Sequence, residues 1–162
     1  MGLGTNLGDR EAMLRRALRA ISALGTIEAV SPVYATSPIG FAAQPDFWNL
    51  VVRIRTELEP VSLLAAVKHV EVRLGRMPRF RDGPREIDID VLQYDDVIRT
   101  EAPVLPHPRM QQRAFVLRPL ADLDPDLRDP RDGTRWADRL AEVEGQGIER
   151  VADGAALLDL DE

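Results

Sequence analysis

The sequence predicts an α+β fold whose elements run in the order β-α-β-β-α-β. Three observations carry this expectation. Two segments repeat apolar residues at helical spacing, the segment before the second of them alternates well between an apolar face and a mixed one, and Gly or Pro marks the junctions. The chain has 162 residues, 44% of them hydrophobic, a length and an apolar content that suit one domain with a real core.

Met1-Gly2-Leu3-Gly4 is the stub of a first strand. A helix is predicted from about Asp9 to Leu24, because Leu14, Ala17, Leu18, Ile21 and Leu24 fall on one face, Asp9 suits an N-cap and Gly25 a stop. Two strands follow, over about Ile27 to Ala35 and Phe47 to Thr56. In the second, Trp48, Leu50, Val52 and Ile54 share one face, and Phe47, Asn49, Val51 and Arg53 the other. Thr36 to Asp46 between them holds two Pro and a Gly and reads as a loop. A second helix is expected from about Pro60 to Leu74, with Leu63, Leu64, Val67, Val70 and Leu74 as its buried stripe. A strand over about Glu86 to Gln93 completes the series. This is the split β-α-β pattern of ferredoxin-like folds, with both helices on one sheet face and the other left for a ligand or for later elements. Beyond it come a Pro-rich stretch, a short helix near Arg113 to Leu123, and a last helix near Thr134 to Val143. Residues 1–145 read as the domain. Residues 146–162 read as a loosely attached acidic tail, since the last twelve hold four acids and no base.

The net charge of -6 argues against a protein held to nucleic acid or to an anionic membrane by counterion release. The absence of Cys removes disulfides, thiolate zinc sites and thiol nucleophiles together. The first residues lack a signal peptide's basic and apolar regions, so a cytoplasmic protein is expected.

The strongest chemical signal is Gly83-Pro84-Arg85-Glu86-Ile87-Asp88-Ile89-Asp90. In a strand, Asp88 and Asp90 point to the same face and offer hard oxygen ligands to a cation such as Mg²⁺. D-x-D alone is more often a half-solvated strand. Its neighbourhood changes the weighing, because residues 73–85 hold five Arg and one acid within an acidic chain. An Arg-rich loop running into paired carboxylates suits nucleotide phosphates. Gly2-Leu3-Gly4-Thr5-Asn6-Leu7-Gly8 matches neither phosphate-binding glycine motif and reads as a tight strand-to-helix turn. His107, set between two prolines, is a candidate phosphate ligand. Phe47, Asn49 and Phe115 offer aromatic faces and an amide to a flat heterocycle, although each taken singly is more often packing.

Taken together, Gly4-Thr5-Asn6-Leu7-Gly8-Asp9, Gln44-Pro45-Asp46-Phe47 with Asn49, Glu71 with Gly75-Arg76, Gly83-Pro84-Arg85 with Asp88-Ile89-Asp90, and Pro106-His107 with Arg113 and Phe115 resemble the 6-hydroxymethyl-7,8-dihydropterin pyrophosphokinases. The resemblance covers about residues 2–142. It implies a folate-biosynthesis enzyme that moves pyrophosphate from ATP to a pterin alcohol and releases AMP. It further implies two Mg²⁺ ions on Asp88 and Asp90, charge stabilisation by Arg76 and Arg85, and ATP contacts from Glu71, Arg76, Arg85, His107 and Arg113. The pterin would stack between Phe47 and Phe115, with Asn49 and the backbone around Thr36, Ser37 and Ile39 on its edge. Met77 to Gly83 would close over the substrates. The partners implied are ATP and 6-hydroxymethyl-7,8-dihydropterin, with no nucleic acid and no membrane, and the chain is expected to be a monomer. Asp82 stands where the family usually has an aromatic. Two alternatives follow: a relative that binds ATP or pterin without turnover, and an interaction domain that holds nucleic acid on its basic loop.

Overall fold

The computed structural model describes residues 1–38 and 43–159. Among the described residues the helices and strands are β1 (Gly2–Thr5), α1 (Arg10–Ser22), β2 (Thr26–Val30), β3 (Val33–Thr36), β4 (Phe47–Arg55), α2 (Pro60–Arg73), β5 (Asp88–Asp90), α3 (Ala114–Leu123) and β6 (Ile148–Ala152). Short 3-10 segments cover Met110–Gln112, Trp136–Val143 and Ala155–Leu158. The α+β class is as expected. The sheet runs β5-β1-β4-β3-β6, with β2 also on β4, and every pairing is antiparallel.

The expected strand over Ile27 to Ala35 is two strands. Pro32 has no N–H to give the ladder, so the pairing breaks there. Ser31 repairs the gap: its N–H donates to the Val51 carbonyl at 2.9 Å and its Oγ accepts from the Val51 N–H at 2.8 Å. The helices begin where the sequence places them. Asp9 accepts from the Ala12 N–H at 3.0 Å, satisfying one of the free donors at the start of α1. Gly75, at φ +96, closes α2.

Helices α1 and α2 cover one sheet face, where Leu14, Leu18 and Ile21 of α1 and Leu63, Val67 and Val70 of α2 meet Leu3, Leu50, Val52 and Ile89. The second face is not free throughout. Val51 and Leu92 present apolar side chains there, and α3 with Trp136 packs on them. The remainder of that face, around Gly4, Asn49, Thr36 and the β5 carboxylates, carries the polar residues of interest.

Residues 148–158 do not form a loose tail. β6 pairs with β3, setting Ile148 opposite Thr36 and Arg150 opposite Tyr34. Leu157 is 3% exposed within the α1–α2 core, and Arg15 on α1 donates to the Ala156 carbonyl at 3.2 Å. Gly154 makes this docking possible, because a Cβ there would lie 1.8 Å from the Ser31 carbonyl oxygen. The acidic composition hid one buried leucine and one close-approach glycine.

Candidate active site

Strand register fixes the floor of the site. Gly4 pairs with Asp88 on one side and with Asn49 on the other. Two ladder spacings therefore separate Asp88 from Asn49, roughly 10 Å. Gly2 likewise lies between Asp90 and Val51. Tyr34 and Thr36 extend the row, opposite Asn49 and Phe47. Gly4 keeps the floor open between carboxylate and amide. A Cβ at Gly4 would come within 2.7 Å of Asn49 Oδ1.

Asn49 is buried and its Nδ2 donates to Thr36 Oγ1 at 2.9 Å, which fixes the amide and turns its oxygen toward Gly4. Phe47 lies at the head of β4 with the Arg85 guanidinium 6.0 Å from its ring centre. Phe115 lies in the first turn of α3, with the Arg113 guanidinium 5.4 Å from its ring centre. Ser37 is exposed just past β3. Ile39 lies outside the described residues.

The loop from Arg76 to Arg85 crosses in front of β5. Arg76 Nη1 donates to Asp88 Oδ1 at 2.8 Å and to Glu71 Oε2 at 2.9 Å. Arg85 Nη1 donates to Asp88 Oδ2 at 2.9 Å. Glu71 lies beneath the site rather than in it. It is 3% exposed, and its Oε2 also accepts from the Ile89 N–H at 2.6 Å and from Lys68 at 3.2 Å. Its contact is thus with β5 and Arg76, not with solvent where a nucleotide would sit. Glu71, Arg76 and Arg85, with Lys68, Phe80 and Arg109, line a cleft of about 740 Å³, within the range of small-ligand sites; Asp88 and Asp90 are not among its lining residues. A second cleft of about 820 Å³, at the Arg55 end of β4, is rimmed by charges that pair among themselves, Arg53 with Asp124 and Arg55 with Glu28.

Electrostatics separates the two carboxylates. Burial works against the ionised form of Asp88, but Arg85, Arg76 and Lys68 outweigh it and hold that carboxyl below its ordinary range. Asp90 is pushed up, first by burial and then by the charge of Asp88, with His107, Lys68 and Arg113 pulling the other way. His107 is pushed down, first by burial, with Asp90 pulling the other way. Its Nδ1 accepts from the Arg109 N–H at 3.2 Å, which places the ring proton on Nε2. His107 and Arg113 thus flank Asp90 as Arg76 and Arg85 flank Asp88.

Sequence reasoning missed a hub. Asn6 is 1% exposed. Its Nδ2 donates to Gln44 Oε1 at 2.8 Å and to the Pro45 carbonyl at 3.0 Å, and its Oδ1 accepts from the Arg85 N–H at 2.8 Å. Its own N–H donates to the Arg85 carbonyl at 3.2 Å. Gln44 Nε2 in turn reaches the Asp82 carbonyl at 2.8 Å. One side chain therefore registers the approach to Phe47 against the loop that carries Arg85. The signal was a carboxamide between a strand and a helix N-cap, where a turn needs none. Lys68 was also missed, although it stands one turn before Glu71 on the same helix.

Paired strand carboxylates under an arginine-rich loop, next to an aromatic ring and a fixed amide, are the equipment of a protein that sets a polyphosphate beside a flat ring. The 7,8-dihydro-6-hydroxymethylpterin-pyrophosphokinase family model matches residues 1–125, and the chain belongs to that family. Among its relatives, a 2-amino-4-hydroxy-6-hydroxymethyldihydropteridine pyrophosphokinase of Methylorubrum extorquens is 45% identical over 154 residues, 93% of this chain and 96% of that one. One of the same name from Pseudomonas aeruginosa is 43% identical over 155 residues, covering 93% and 94%. A crystal structure of Plasmodium falciparum HPPK-DHPS with pterin and p-hydroxybenzoate matches with a TM-score of 0.71 at 16% identity, over 92% of this chain and 44% of that one. That likeness is one of fold, and this chain spans less than half of that protein.

Proposed function

We propose that this protein transfers pyrophosphate from ATP to the hydroxymethyl group of 6-hydroxymethyl-7,8-dihydropterin, releasing AMP, in tetrahydrofolate biosynthesis. The observation that carries the reading is the register of β5, β1 and β4. It puts Asp88 and Asn49 on one open face either side of Gly4, with Arg76 and Arg85 delivered over Asp88. A ring held by Asn49 and Phe47 would extend its substituent across Gly4 toward the carboxylates.

Two same-face carboxylates are a hard-oxygen donor set that suits Mg²⁺. Among the described residues no third acidic or His ligand joins them, so phosphate oxygens and waters would complete the coordination, as Mg²⁺ usually has it. Asp88 and Asp90 would hold two Mg²⁺ ions, which when bound neutralise the polyphosphate and polarise the β-phosphoryl group. The remaining chemistry belongs to the chain. Arg76 and Arg85 bind the oxygens on which charge builds while the pterin O–Pβ bond forms and the bond to the AMP oxygen breaks. His107 and Arg113 hold the polyphosphate from the Asp90 side. Phe47 and Phe115 enclose the ring, Thr36 fixes the Asn49 amide, and Ser37 with Ile39 borders the ring edge. Glu71 acts through Arg76 and Ile89.

We also read the core as ferredoxin-like, with β2 and β3 as one interrupted strand, and the protein as a cytoplasmic monomer. The strand order with β2 and β3 merged supports the first. No described helix is long and apolar enough to cross a membrane. A binding-only relative gains no support, since the arginines and carboxylates the transfer needs are all present and the relatives are named as pyrophosphokinases.

The test is AMP formation from ATP and Mg²⁺ with and without the pterin. Pterin-dependent AMP from folded protein supports the transfer, and ATP binding without AMP overturns it in favour of the binding-only reading. Size-exclusion chromatography with light scattering tests the monomer.

A further inference from the structure

Each oxygen of Asp88 accepts from an arginine. Oδ1 accepts from Arg76 and Oδ2 from Arg85, at 2.8 and 2.9 Å. Asp90 differs. Among the described residues no hydrogen bond or ion pair reaches its carboxylate, and His107, Lys68 and Arg113 act on it only through space. The two members of the pair are thus unequally engaged, although they stand two residues apart on one face and are similarly buried.

Each Asp88 oxygen keeps a second lone pair, but a cation that binds there comes against two guanidiniums of like charge, and displacing at least one relieves that repulsion. Arginine cannot yield by losing its proton, so it has to move. It also has to find a new anion, since the contact it leaves is a charge-assisted hydrogen bond, stronger than a neutral one. Glu71 holds Arg76 from behind, so that arginine keeps a partner when it turns. Arg85 has no second carboxylate within ion-pair distance among the described residues. A polyphosphate supplies what Arg85 lacks, because its oxygens accept the guanidinium fork in pairs.

We propose that Arg76 and Arg85 lock Asp88 against free divalent cations until a polyphosphate draws them away, so that cation and nucleotide enter the site as a unit. The inference rests on the functional reading given above. The lock couples the two ligands beyond direct chelation, and by linkage each raises the other's affinity by the same factor. Asp90, open and flanked by His107 and Arg113, takes no part in the lock.

The test uses the purified protein and Mn²⁺ as the spectroscopic substitute for Mg²⁺, with free Mn²⁺ read by electron paramagnetic resonance and no nucleotide present. Arg85→Ala should bind Mn²⁺ about tenfold more tightly than the wild type, the equivalent of about 1.4 kcal/mol. Arg85→Gln should gain as much. Arg79→Ala is the control. It removes the same charge from the same loop, but Arg79 pairs with Glu86 and not with Asp88. Its gain should stay below about threefold, the scale of a screened surface charge. Adding Asp88→Asn to Arg85→Ala should cancel the gain. Equal affinity in the wild type and both Arg85 variants overturns the lock, and so does an equal gain in Arg79→Ala, which would leave net charge as the cause. A separate titration of the wild type with Mn²⁺ and a non-hydrolysable ATP analogue addresses the functional reading. No ternary complex there would refute that reading, while the nucleotide-free comparison still decides the lock.

Discussion

Glu71 gives the sharpest separation between holding the fold and serving the site. Its carboxyl lies above its ordinary value of 4.5, chiefly because burial penalises the charge, with Asp88 pushing the same way and the Ile89 N–H, Lys68 and Arg76 pulling back. A carboxyl raised in the folded state binds its proton more tightly there than in the unfolded chain. Its contribution to stability therefore falls as pH rises from 4.5 through the folded value. At neutral pH the charge itself is a cost, and a neutral isostere should be tolerated. Glu71→Gln keeps an acceptor for the Ile89 N–H and gives up charge-assisted contacts to Arg76 and Lys68, which are 30% and 45% exposed and can rehydrate. Each such half-exposed contact is worth about 0–1 kcal/mol. We expect Glu71→Gln to stay within about 1 kcal/mol of the wild type at pH 5 and to gain on it by pH 8. Glu71→Ala loses one buried methylene at about 0.8 kcal/mol and leaves a buried N–H unpaired at about 1–3 kcal/mol, a cost of about 2–4 kcal/mol. Function should sort differently. Arg76 loses one of its two carboxylate anchors in either variant, and misplacing a positioned group costs on the order of 10² in rate. Urea unfolding at the two pH values, with steady-state AMP formation alongside, reads both quantities. Glu71→Gln as unstable as Glu71→Ala, or with wild-type kcat, would refute this reasoning.

Asp88→Asn and Asp90→Asn should each abolish cation-dependent turnover; the melting temperature should be unchanged or raised in Asp90→Asn, whose charge the fold disfavours, and lowered in Asp88→Asn, which gives up its ion pairs to Arg76 and Arg85, as thermal unfolding and AMP formation check. Asn6→Asp retains the acceptor for the Arg85 N–H and loses the donors to Gln44 and Pro45, so the KM for the pterin should rise more than the KM for ATP. Asp129 is held at about 2, below its ordinary 3.8, where burial opposes its charge but Arg131 and Arg139 outweigh it. Its stabilisation is whole above 3.8 and lost as pH falls toward 2, at most about 2 kcal/mol, so the melting difference between wild type and Asp129→Asn should close over that interval. Leu157→Ala should cost about 2–4 kcal/mol in urea unfolding, whereas a loose tail would cost nothing.

The helices and β4 were legible because burial on one face writes itself into period. Leu14, Leu18 and Ile21, and Trp48, Leu50 and Val52, could hardly be arranged otherwise. The acidic pair and Arg76 with Arg85 were legible for another reason. Their charge stands out against an acidic chain, and Asp88 and Asp90 had to share a face. The break at Pro32 and the docking of β6 were not legible, because each depends on a partner distant in sequence. Ser31 bridges to Val51, and Gly154 has to pass the Ser31 carbonyl. Composition averages over such single contacts. The burial of Glu71 escaped notice for the same reason: nothing in its neighbours announces three donors converging on one oxygen.

β1 shows how little chain a site can need. It has four residues, yet every functional distance on the open face is measured across it. Leu3 anchors it in the core, and Gly4 leaves space above it between Asp88 and Asn49. Thr5 donates to the Glu86 carbonyl at 2.5 Å, and Asn6, just past its end, takes both main-chain groups of Arg85. The strand thus sets Asp88 by register, Arg85 by hydrogen bonds and Asn49 by an absent side chain. The arginine-bearing segment is tied to the sheet where Arg85 leaves for Asp88. Accuracy at the carboxylates and freedom of the arginines before them are then compatible, because Asn6 holds the Arg85 backbone while its side chain is left to move.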